Sequence, residues 1–393
     1  MGLILNDLKN VCELEHVCDY VNNRTTSSMN YISTENMLPN KGGISESTII
    51  PPGTTTEYKI GDILISNIRP YFQKIWCADR CGGCSADVLC IRAKENTDSK
   101  YLYYLLSQQA FFDYVMSGAK GCKMPRGDKK QIMQWPVNIP AIDVQKKVVA
   151  ILSSLDNKIR LNRRINDNLE EQAKALFKSW FVDFEPFKGG KFVDSELGLI
   201  PKGWSTGTIY SYIDVIYGAP YKSALFNDKK QGLPLIRIRD LKTYTPQYYT
   251  KEVLPNTEYV ECGDIIAGMD AEFIPHIWRG EKGVLNQRLC KFVPKYDYVS
   301  KYYIYSLVYP KLAFVQSYKV GTTVSHLGKA DIDRFKVIVP PEDIIMQYSK
   351  IVNSYFAEIV KVSNENQILS SLRDTLLPKL MSGEFSVEEV SLD

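Results

Sequence analysis

Residues 143–180 read DVQKKVVAILSSLDNKIRLNRRINDNLEEQAKALFKSW, and the spacing of the apolar residues in this stretch decides the fold. They recur at steps that alternate between four and three, at Val148, Leu152, Leu155, Ile159, Leu169, Ala173, Leu176 and Trp180. Such a heptad seam is typical of a long helix that packs against a second helix. Asn162 and Asn166 interrupt the seam, and they either fix the register of a helix pair or are solvated at a frayed seam. We predict one long helix over residues 143–180.

The same seam occurs again 200 residues later, at Tyr348, Val352, Tyr355, Ile359, Val362, Asn366, Leu369, Arg373, Leu376 and Leu380. Asn366 falls at the position of Asn166. Asp143 and Asp343 stand at the two helix starts, where each is expected to cap its helix. Pro378 should end or kink the second helix near its close. The chain therefore contains an internal repeat with one long helix in each copy.

The segments in front of the two helices also repeat. Gly61 and Asp62 correspond to Gly263 and Asp264, at an offset of 202 residues. Apolar runs predict buried strands at residues 63–66, 88–91, 235–238 and 265–267. Helical spacing of apolar residues predicts one helix over residues 101–115 and its counterpart over residues 300–314. Each copy is therefore a mixed segment of strands and helices that leads into a long helix.

This order predicts an α+β fold with two mixed α/β domains and two long antiparallel helices that form a coiled-coil spacer, related by an internal pseudo-twofold repeat. The predicted limits are 1–140 for the first domain, 141–188 for the first spacer helix, 189–340 for the second domain and 341–393 for the second spacer helix with its tail. A heptad seam needs a partner, and the other copy supplies one. The alternative is that each helix packs only on its own domain.

Composition restricts the function classes. The 393-residue chain has a formal net charge of only +3, so any nucleic-acid contact must come from local basic patches. It lacks an apolar run of the length that spans a membrane, and its N-terminus lacks the pattern of a signal peptide. Nine irregularly spaced cysteines indicate reduced thiols in a cytoplasmic protein.

Two similar but unlike domains held apart by a rigid spacer suit a target with two different halves. Double-stranded DNA is the obvious candidate, because its major-groove faces recur about every 34 Å along one side. The layout alone does not exclude two protein partners.

Several motifs carry a resemblance to a known family. They are VNIP at 137–140, QKKVV at 145–149, LDNKI at 155–159, NRRIN at 162–166, LFKSWFVDF at 176–184, ELGLIPKGW at 196–204, the loop at 321–329 and LLPKLMSGE at 376–384. Together they resemble the specificity (S) subunits of type I restriction–modification systems over nearly the whole chain. One departure is that the first half lacks the Ile-Pro-Lys-Gly-Trp opening and has residues 8–17 in its place.

The resemblance implies that each domain is a target recognition domain that reads one half of a split DNA sequence. It implies that the paired helices set the unread gap and dock two methyltransferase (M) subunits, and that restriction/translocase (R) subunits complete the complex. It further implies that this chain is not an enzyme and holds no cofactor. S-adenosylmethionine, ATP and magnesium are expected on the partner subunits only.

Searching the residues for chemistry of their own points the same way. The sequence has no Walker-type phosphate loop, no dinucleotide fingerprint and no Asn-Pro-Pro-Tyr-like tetrapeptide of amino-methyltransferases. The spacing of His16, His276 and His326 makes no metal site or catalytic triad obvious. Cys77, Cys81, Cys84 and Cys90 include one zinc-knuckle spacing but no second pair, so we predict ordinary thiols and no metal site.

Candidate DNA contacts are Arg, Asn, Lys, Thr, His and Tyr side chains near predicted strand ends and in the two repeated glycine loops. In the first domain they are Arg69, Tyr71, Lys74, Lys123, Arg126 and Lys129. In the second they are Lys222, Arg237, Arg239, Asn286, Arg288, Lys319, Thr322, Thr323, His326 and Lys329. The two loops are favoured, and Lys129 and Lys329 are predicted to contact phosphates, because phosphate contacts can be shared between halves that read different bases. The alternative for each residue is a solvated or structural side chain, and Arg237 equally fits a salt bridge.

The spacer carries candidate subunit contacts at Arg163, Arg164, Asn166, Trp180 and Asn366, with a solvated helix face as the alternative. Two other function classes remain open at this stage. A self-contained nuclease requires clustered acidic residues for metal binding, and no such cluster is evident. A coiled-coil adaptor that binds only proteins predicts no salt-dependent affinity for DNA.

Overall fold

The computed structural model describes residues 11–26, 30–45, 53–319 and 326–387. In these residues the helices are α1 (Ser99–Leu106), α2 (Gln109–Ser117), α3 (Lys129–Met133), α4 (Ile142–Phe181), α5 (Lys301–Lys319), α6 (Lys329–Asp333) and α7 (Glu342–Ser382). Of these described helices, none has both the length and the apolarity required to cross a membrane. The chain divides into two compact units, Met1–Asn157 with Ser370–Asp393 and Lys158–Leu369, so the division falls within α4 and α7.

The first unit is built on short strands that pair mainly in antiparallel fashion. They are β1 (Val11–Glu13), β2 (Cys18–Tyr20), β3 (Arg24–Thr25), β4 (Thr55–Tyr58), β5 (Ile63–Ser66), β6 (Ile75–Cys77), β7 (Gly82–Cys84), β8 (Val88–Ala93) and β9 (Pro136–Asn138). The central sheet has the order β2-β8-β5-β6, a second sheet has the order β3-β4-β7, and β1 pairs with β9. The residues of β5 are all buried, which confirms the strand predicted over residues 63–66.

The second unit repeats this plan. Its strands are β10 (Phe192–Ser195), β11 (Gly198–Pro201), β12 (Ser205–Thr208), β13 (Ile213–Tyr217), β14 (Leu233–Ile236), β15 (Tyr248–Thr250), β16 (Tyr259–Val260), β17 (Ile265–Gly268), β18 (Pro275–Ile277), β19 (Gly283–Leu285), β20 (Leu289–Pro294) and β21 (Lys336–Val339). The sheet β13-β20-β17-β18 repeats β2-β8-β5-β6, and the pair β12-β21 repeats β1-β9. The internal repeat predicted from the sequence is confirmed.

The hairpin of β10 and β11 has no counterpart among the residues described in the first half. It leads into Trp204, which is 8% exposed and packs edge-on against Phe184 and Phe187 at ring-centroid distances of 5.5 and 4.9 Å. In the first half, β1 already pairs with β9 from Val11 onward. Ile200 and Pro201 of the Ile-Pro-Lys-Gly-Trp motif therefore lie in the second strand of this hairpin.

In the first unit, the start of α4 packs antiparallel against the end of α7. Val148 and Leu152 share a core with Leu377, Leu380 and Met381. Further along α4 and further back along α7, Oδ1 of Asp156 accepts a hydrogen bond from Nη1 of Arg373 at 2.9 Å. The contacts move along the two helices in opposite directions, as an antiparallel pair requires.

In the second unit, the end of α4 packs against the start of α7 in the same antiparallel sense. Nδ2 of Asn162 donates to Oδ1 of Asn366 at 3.0 Å, and Nδ2 of Asn166 donates to Oγ of Ser363 at 3.1 Å. Asn162 and Asn166 are 0% and 1% exposed, so a frayed, solvated seam is ruled out. The predicted antiparallel pairing is confirmed, and the alternative in which each helix packs only on its own domain is wrong.

The helix predicted over residues 101–115 is wrong, because the chain forms α1 and α2 with a break between them. Oγ of Ser107 donates to the carbonyl of Tyr103 at 2.6 Å, and Nε2 of Gln108 donates to the carbonyl of Leu105 at 3.1 Å. These side chains take carbonyls that a continuing helix would use, and Gln108 adopts an extended backbone with ψ of 146°.

The strand predicted over residues 235–238 ends at Ile236. The backbone N–H of Arg237 donates to Oδ2 of Asp240 at 2.9 Å, which closes a short 3-10 helix at Ile238–Asp240. The counterpart helix predicted over 300–314 is present as α5 but runs on to Lys319.

Two predictions about helix ends also need correction. Asp143 and Asp343 lie in the first turns of α4 and α7 rather than at the caps. A carboxylate in a first turn still interacts favourably with the positive end of the helix dipole. Pro378 does not end α7, which continues to Ser382, because Leu377 and Leu380 on either side of it are buried in the core of the first unit.

Candidate nucleic-acid interface

In the first unit, three segments meet where β5 ends. The backbone N–H of Asn67 donates to the carbonyl of Asp87 at 2.8 Å, just before β8 begins. Ile68 forms an antiparallel bridge with Arg126, which precedes α3. Arg69 follows with a left-handed backbone (φ 50°) and donates its N–H to the carbonyl of Pro125 at 2.8 Å. We call the residues Asn67, Ile68, Asp87 and Arg126 the first junction.

The glycine loop of the first unit projects from this junction. Lys120 and Arg126 exchange two backbone hydrogen bonds of 2.9 Å, so the intervening residues form a closed loop. Gly121 has a φ of +100°, which a residue with a side chain rarely adopts. Lys123 lies exposed in the loop. The hydrogen bond from Lys120 lowers the pKa of Asp128, as do backbone N–H groups of α3, so this carboxylate anchors the loop base as an anion.

The second unit builds the same backbone arrangement from different residues. The N–H of Met269 donates to the carbonyl of Arg288 at 2.9 Å. Asp270 forms the antiparallel bridge with His326, and Ala271 takes the left-handed position with a φ of 59°. We call the residues Met269, Asp270, Arg288 and His326 the second junction. Residues 320–325 of the second glycine loop lie outside the described residues.

Each junction holds a guanidinium against a carboxylate at the protein surface. Nη2 of Arg126 lies 3.0 Å from Oδ1 of Asp87, and Nη1 of Arg288 lies 2.9 Å from Oδ2 of Asp270. Nδ1 of His326 lies 2.7 Å from the other oxygen of Asp270. The side chains of Arg126 and Arg288 are 58% and 57% exposed, so each retains N–H groups that can donate to a base edge or a phosphate.

The other candidates of the first unit have mixed surroundings. Tyr71 is 49% exposed, and Lys129 begins α3 with its ammonium over the Tyr20 ring. Nζ of Lys74 donates to the carbonyl of Thr34 at 2.6 Å. Burial lowers the pKa of Lys74, and the nearby charge of Arg69 lowers it further. Lys74 therefore has a structural contact inside the domain, which does not suit a phosphate anchor.

Among the second-unit candidates that the structure describes, Arg288, His326 and the adjacent Asn286 lie together. Asn286 is 7% exposed, and its Oδ1 accepts from the N–H of Arg288 at 3.2 Å, so it shapes the turn rather than facing solvent. Arg237, for which a salt bridge was the alternative to a DNA contact, packs over the rings of Phe226 and Tyr248 at 5.7 and 5.4 Å.

The remaining candidates are spread along the surface or lie outside the described part. Lys222, Arg239 and Lys329 are exposed. Lys319 ends α5, and its side chain is not described. Thr322 and Thr323 lie outside the described residues. The DNA contacts of all these residues stay predictions.

The spacer candidates divide into two groups. Arg163 and Arg164 are exposed on α4. Within the helix pair, the side chain of Asn166 is hydrogen-bonded to Ser363, and that of Asn366 is hydrogen-bonded to Asn162. Trp180 is half-buried against Tyr348, with ring centroids 5.9 Å apart. Subunit contact is therefore geometrically open to the arginines, whereas Asn166 serves the internal seam.

The cysteine cluster forms no recognisable metal centre. Cys84 and Cys90 are buried in β7 and β8, and Cys81 is exposed. Within the described ranges, no group of three or more His, Cys, Asp or Glu residues is placed to hold a metal ion.

Sequence reasoning missed the two junction carboxylates, Asp87 and Asp270. Carboxylates do not donate to base edges or phosphates, so the pattern of donors and aromatic side chains did not point to them. The offset between the repeats is the sequence signal that could have found Asp87. This residue lies 201 residues before the candidate Arg288, and the two directly precede the equivalent strands β8 and β20.

A family model for the type I restriction modification DNA specificity domain matches this chain twice, at residues 6–171 and 201–370. The chain belongs to this family. Each match contains one junction and the start of one long helix, so each half of the chain is a DNA specificity domain of the type I restriction–modification kind.

Known relatives include two curated specificity subunits. The type I restriction enzyme MjaIX specificity subunit of Methanocaldococcus jannaschii is 27% identical over 325 residues, which cover 76% of this chain and 71% of that protein. The HindI specificity subunit of Haemophilus influenzae is 24% identical, with 90% and 94% covered. Among solved structures, the S subunit of a type I system from M. genitalium is 16% identical, covers 97% of this chain and 98% of that one, and has a TM-score of 0.46.

Proposed function

We propose that this specificity subunit reads a bipartite, asymmetric sequence in double-stranded DNA, with one domain for each half. The observation that carries the proposal is the pair of junctions. They share backbone hydrogen bonds and bridges but present different side chains, namely Ile68, Asp87 and Arg126 against Asp270, Arg288 and His326. Two domains that approach DNA in the same way and differ in their contacting side chains suit two unlike half-sites.

The proposal includes two methyltransferase subunits and restriction/translocase subunits as partners in a cytoplasmic complex. Exposed side chains on the paired helices of the second unit support a docking surface there. Leu161 and Ile165 on α4 are 51% and 42% exposed, and Ile368 on α7 is 68% exposed. Apolar side chains of this size on a solvated surface are typical of protein contacts when they cluster. Arg164, which is also exposed, lies within one turn of Leu161 on α4 and supplies charge to this surface, whereas Arg163 lies on another face of the helix.

We further propose that the chain catalyses neither methyl transfer nor cleavage. Its sequence carries no motif for binding S-adenosylmethionine or for the phosphates of ATP, so these cofactors and magnesium belong to the partner subunits in this proposal. Within the described ranges, the nuclease gains no support from a cluster of metal-ligating side chains.

The salt dependence of DNA binding tests the proposed function. In the complex with methyltransferase subunits, the logarithm of the association constant for a target duplex should fall linearly with the logarithm of salt concentration between 50 and 200 mM, because phosphate contacts release counterions. Replacing Lys123 with glutamine should reduce that slope by about 1 and weaken binding to all duplexes alike. Fluorescence anisotropy with a labelled duplex measures both quantities.

The matched control is Lys336→Gln, which removes another exposed surface cation, paired with Glu196 in the second unit. It should leave the slope unchanged. Affinity that does not respond to salt, in a complex that has assembled, would contradict DNA binding and favour the adaptor.

A further inference from the structure

We infer that Arg126 and Arg288 each read a guanine, one in each half-site, and that Asp87 and Asp270 are positioning residues that orient them. The inference rests on the proposed function and adds the division of labour within each domain. It separates residues that read bases from residues that anchor phosphates.

The two junctions share one backbone arrangement. The N–H of Asn67 bonds to the carbonyl of Asp87 at 2.8 Å as that of Met269 bonds to the carbonyl of Arg288 at 2.9 Å. The bridge of Ile68 with Arg126 has its counterpart in Asp270 with His326. Because the backbone is the same, differences in the bases read must come from the side chains that it presents.

The ion pair is built from different positions in the two junctions. In the first junction the carboxylate belongs to Asp87, just before β8, and the guanidinium belongs to Arg126, at the end of the glycine loop. In the second junction the guanidinium belongs to Arg288, just before β20, and the carboxylate belongs to Asp270, which follows β17. The guanidinium therefore leaves the junction from a different segment in each domain and meets a different position of its half-site.

The carboxylate partner suits each arginine to base reading and not to phosphate anchoring. An arginine that touches a carboxylate has its net attraction for phosphate largely cancelled, whereas its remaining N–H groups keep the geometry that matches O6 and N7 of guanine. The carboxylate also restricts the rotamers of the guanidinium, so less side-chain entropy is lost on contact. By the same reasoning, the exposed Lys123 and Lys129 suit phosphate contacts.

Asp270 is the more constrained of the two positioning residues. Its Oδ2 lies 2.9 Å from Arg288 and its Oδ1 lies 2.7 Å from His326, so both oxygens are used. Its backbone is fixed by the bridge to His326. Loss of its charge should therefore release two side chains at once, both at the surface of the second domain.

These residues are good test positions because exposed ion pairs contribute little to stability. The purified complex with methyltransferase subunits would be assayed on a set of duplexes in which each base pair of its target is changed in turn. The ratio of the initial methylation rate of the target duplex to that of each changed duplex gives the discrimination at that position. The variants are Arg126→Lys, Arg288→Lys and Asp270→Asn, with Lys336→Gln as the surface control.

Arg288→Lys should reduce discrimination at one G·C pair of the second half-site by a factor on the order of 5 to 150, the range expected for one bidentate contact. Discrimination in the first half-site should stay as in the wild type, which also reports correct folding. Arg126→Lys should give the reverse result. Asp270→Asn should relax the same base pair as Arg288→Lys, and the double variant should relax it no further, which a purely structural role would not produce.

If the variants discriminated like the wild type at every position of both half-sites, the inference would be overturned. The proposed function would still stand in that case, because the wild-type complex would still recognise its two-part target. A uniform loss of rate on all duplexes would assign the arginines to phosphates and would also overturn it. Failure of the proposed function is distinguishable, because the wild-type complex would then show no two-part target at all.

Discussion

Exchange of residues 1–140 for the corresponding segment of another family member is expected to replace one half of the methylated sequence and to leave the other half unchanged. The exchanged segment contains the whole first junction and its glycine loop, whereas the second junction lies entirely in the retained chain. Both long helices are retained, so the gap between the two halves should keep its length. Sequencing the modified bases of a host that carries the hybrid and its methyltransferase subunits measures all three features.

The donor segment must suit the retained helices, because α4 and α7 contribute to the core of the first unit. Val148 and Leu152 pack there with Leu377, and the hydroxyl of Tyr104 donates to Asp156 of α4 at 2.7 Å. The reciprocal control exchanges residues 189–340 and should replace the other half only. A hybrid that changed both halves, or the gap alone, would contradict the assignment of one half-site to each domain.

Replacement of Tyr348 with alanine is expected to lower the free energy of unfolding of the second unit by about 3–5 kcal/mol, as for other large buried aromatic residues. Tyr348 is 0% exposed and joins the two long helices to the domain. Its ring centroid lies 4.9 Å from that of Phe181 and 5.9 Å from that of Tyr303. Removal of the ring leaves a cavity where α4, α5 and α7 meet, which these rigid helices can fill only in part. Thermal unfolding followed by circular dichroism measures the loss as a lower melting temperature.

Two controls make this result specific. Tyr348→Phe keeps the ring contacts and should stay within about 1 kcal/mol of the wild type, since it removes one hydroxyl. Tyr318→Ala removes a ring that is 54% exposed and should have little effect on stability. If Tyr348→Ala unfolded at the wild-type temperature, the aromatic contacts between the helices and the second domain would not be what holds them together.

The long helices could be predicted from the sequence because their stabilising pattern is local and periodic. Every predicted seam position from Val148 to Trp180 is buried or half-buried, and α4 begins and ends within one residue of the predicted range. The break between α1 and α2 could not be predicted from apolar spacing, since it depends on side-chain hydrogen bonds by Ser107 and Gln108. The passage of α7 through Pro378 likewise depends on burial of its neighbours in a distant core.

The site was less accessible to sequence reasoning than the fold. The glycine loop of the first domain was found because it recurs in the second, and Arg126 and Arg288 were among the candidates. Their carboxylate partners were missed, because Asp87 and Arg126 come together only when β5 and β8 are neighbours in a sheet. Lys74 and Arg237 have side chains that are typical of DNA contacts. In the fold, however, Lys74 donates to a backbone carbonyl and Arg237 packs over two aromatic rings.

The most direct test of the central claim is to sequence the methylated bases in a host that expresses this chain with its cognate methyltransferase subunits. The account predicts a single motif with two short, unlike halves separated by a gap of fixed length, and no such methylation when this chain is omitted. A continuous motif, or no new motif from an assembled complex with a competent methyltransferase, would contradict the claim that the two domains read two halves of one DNA target.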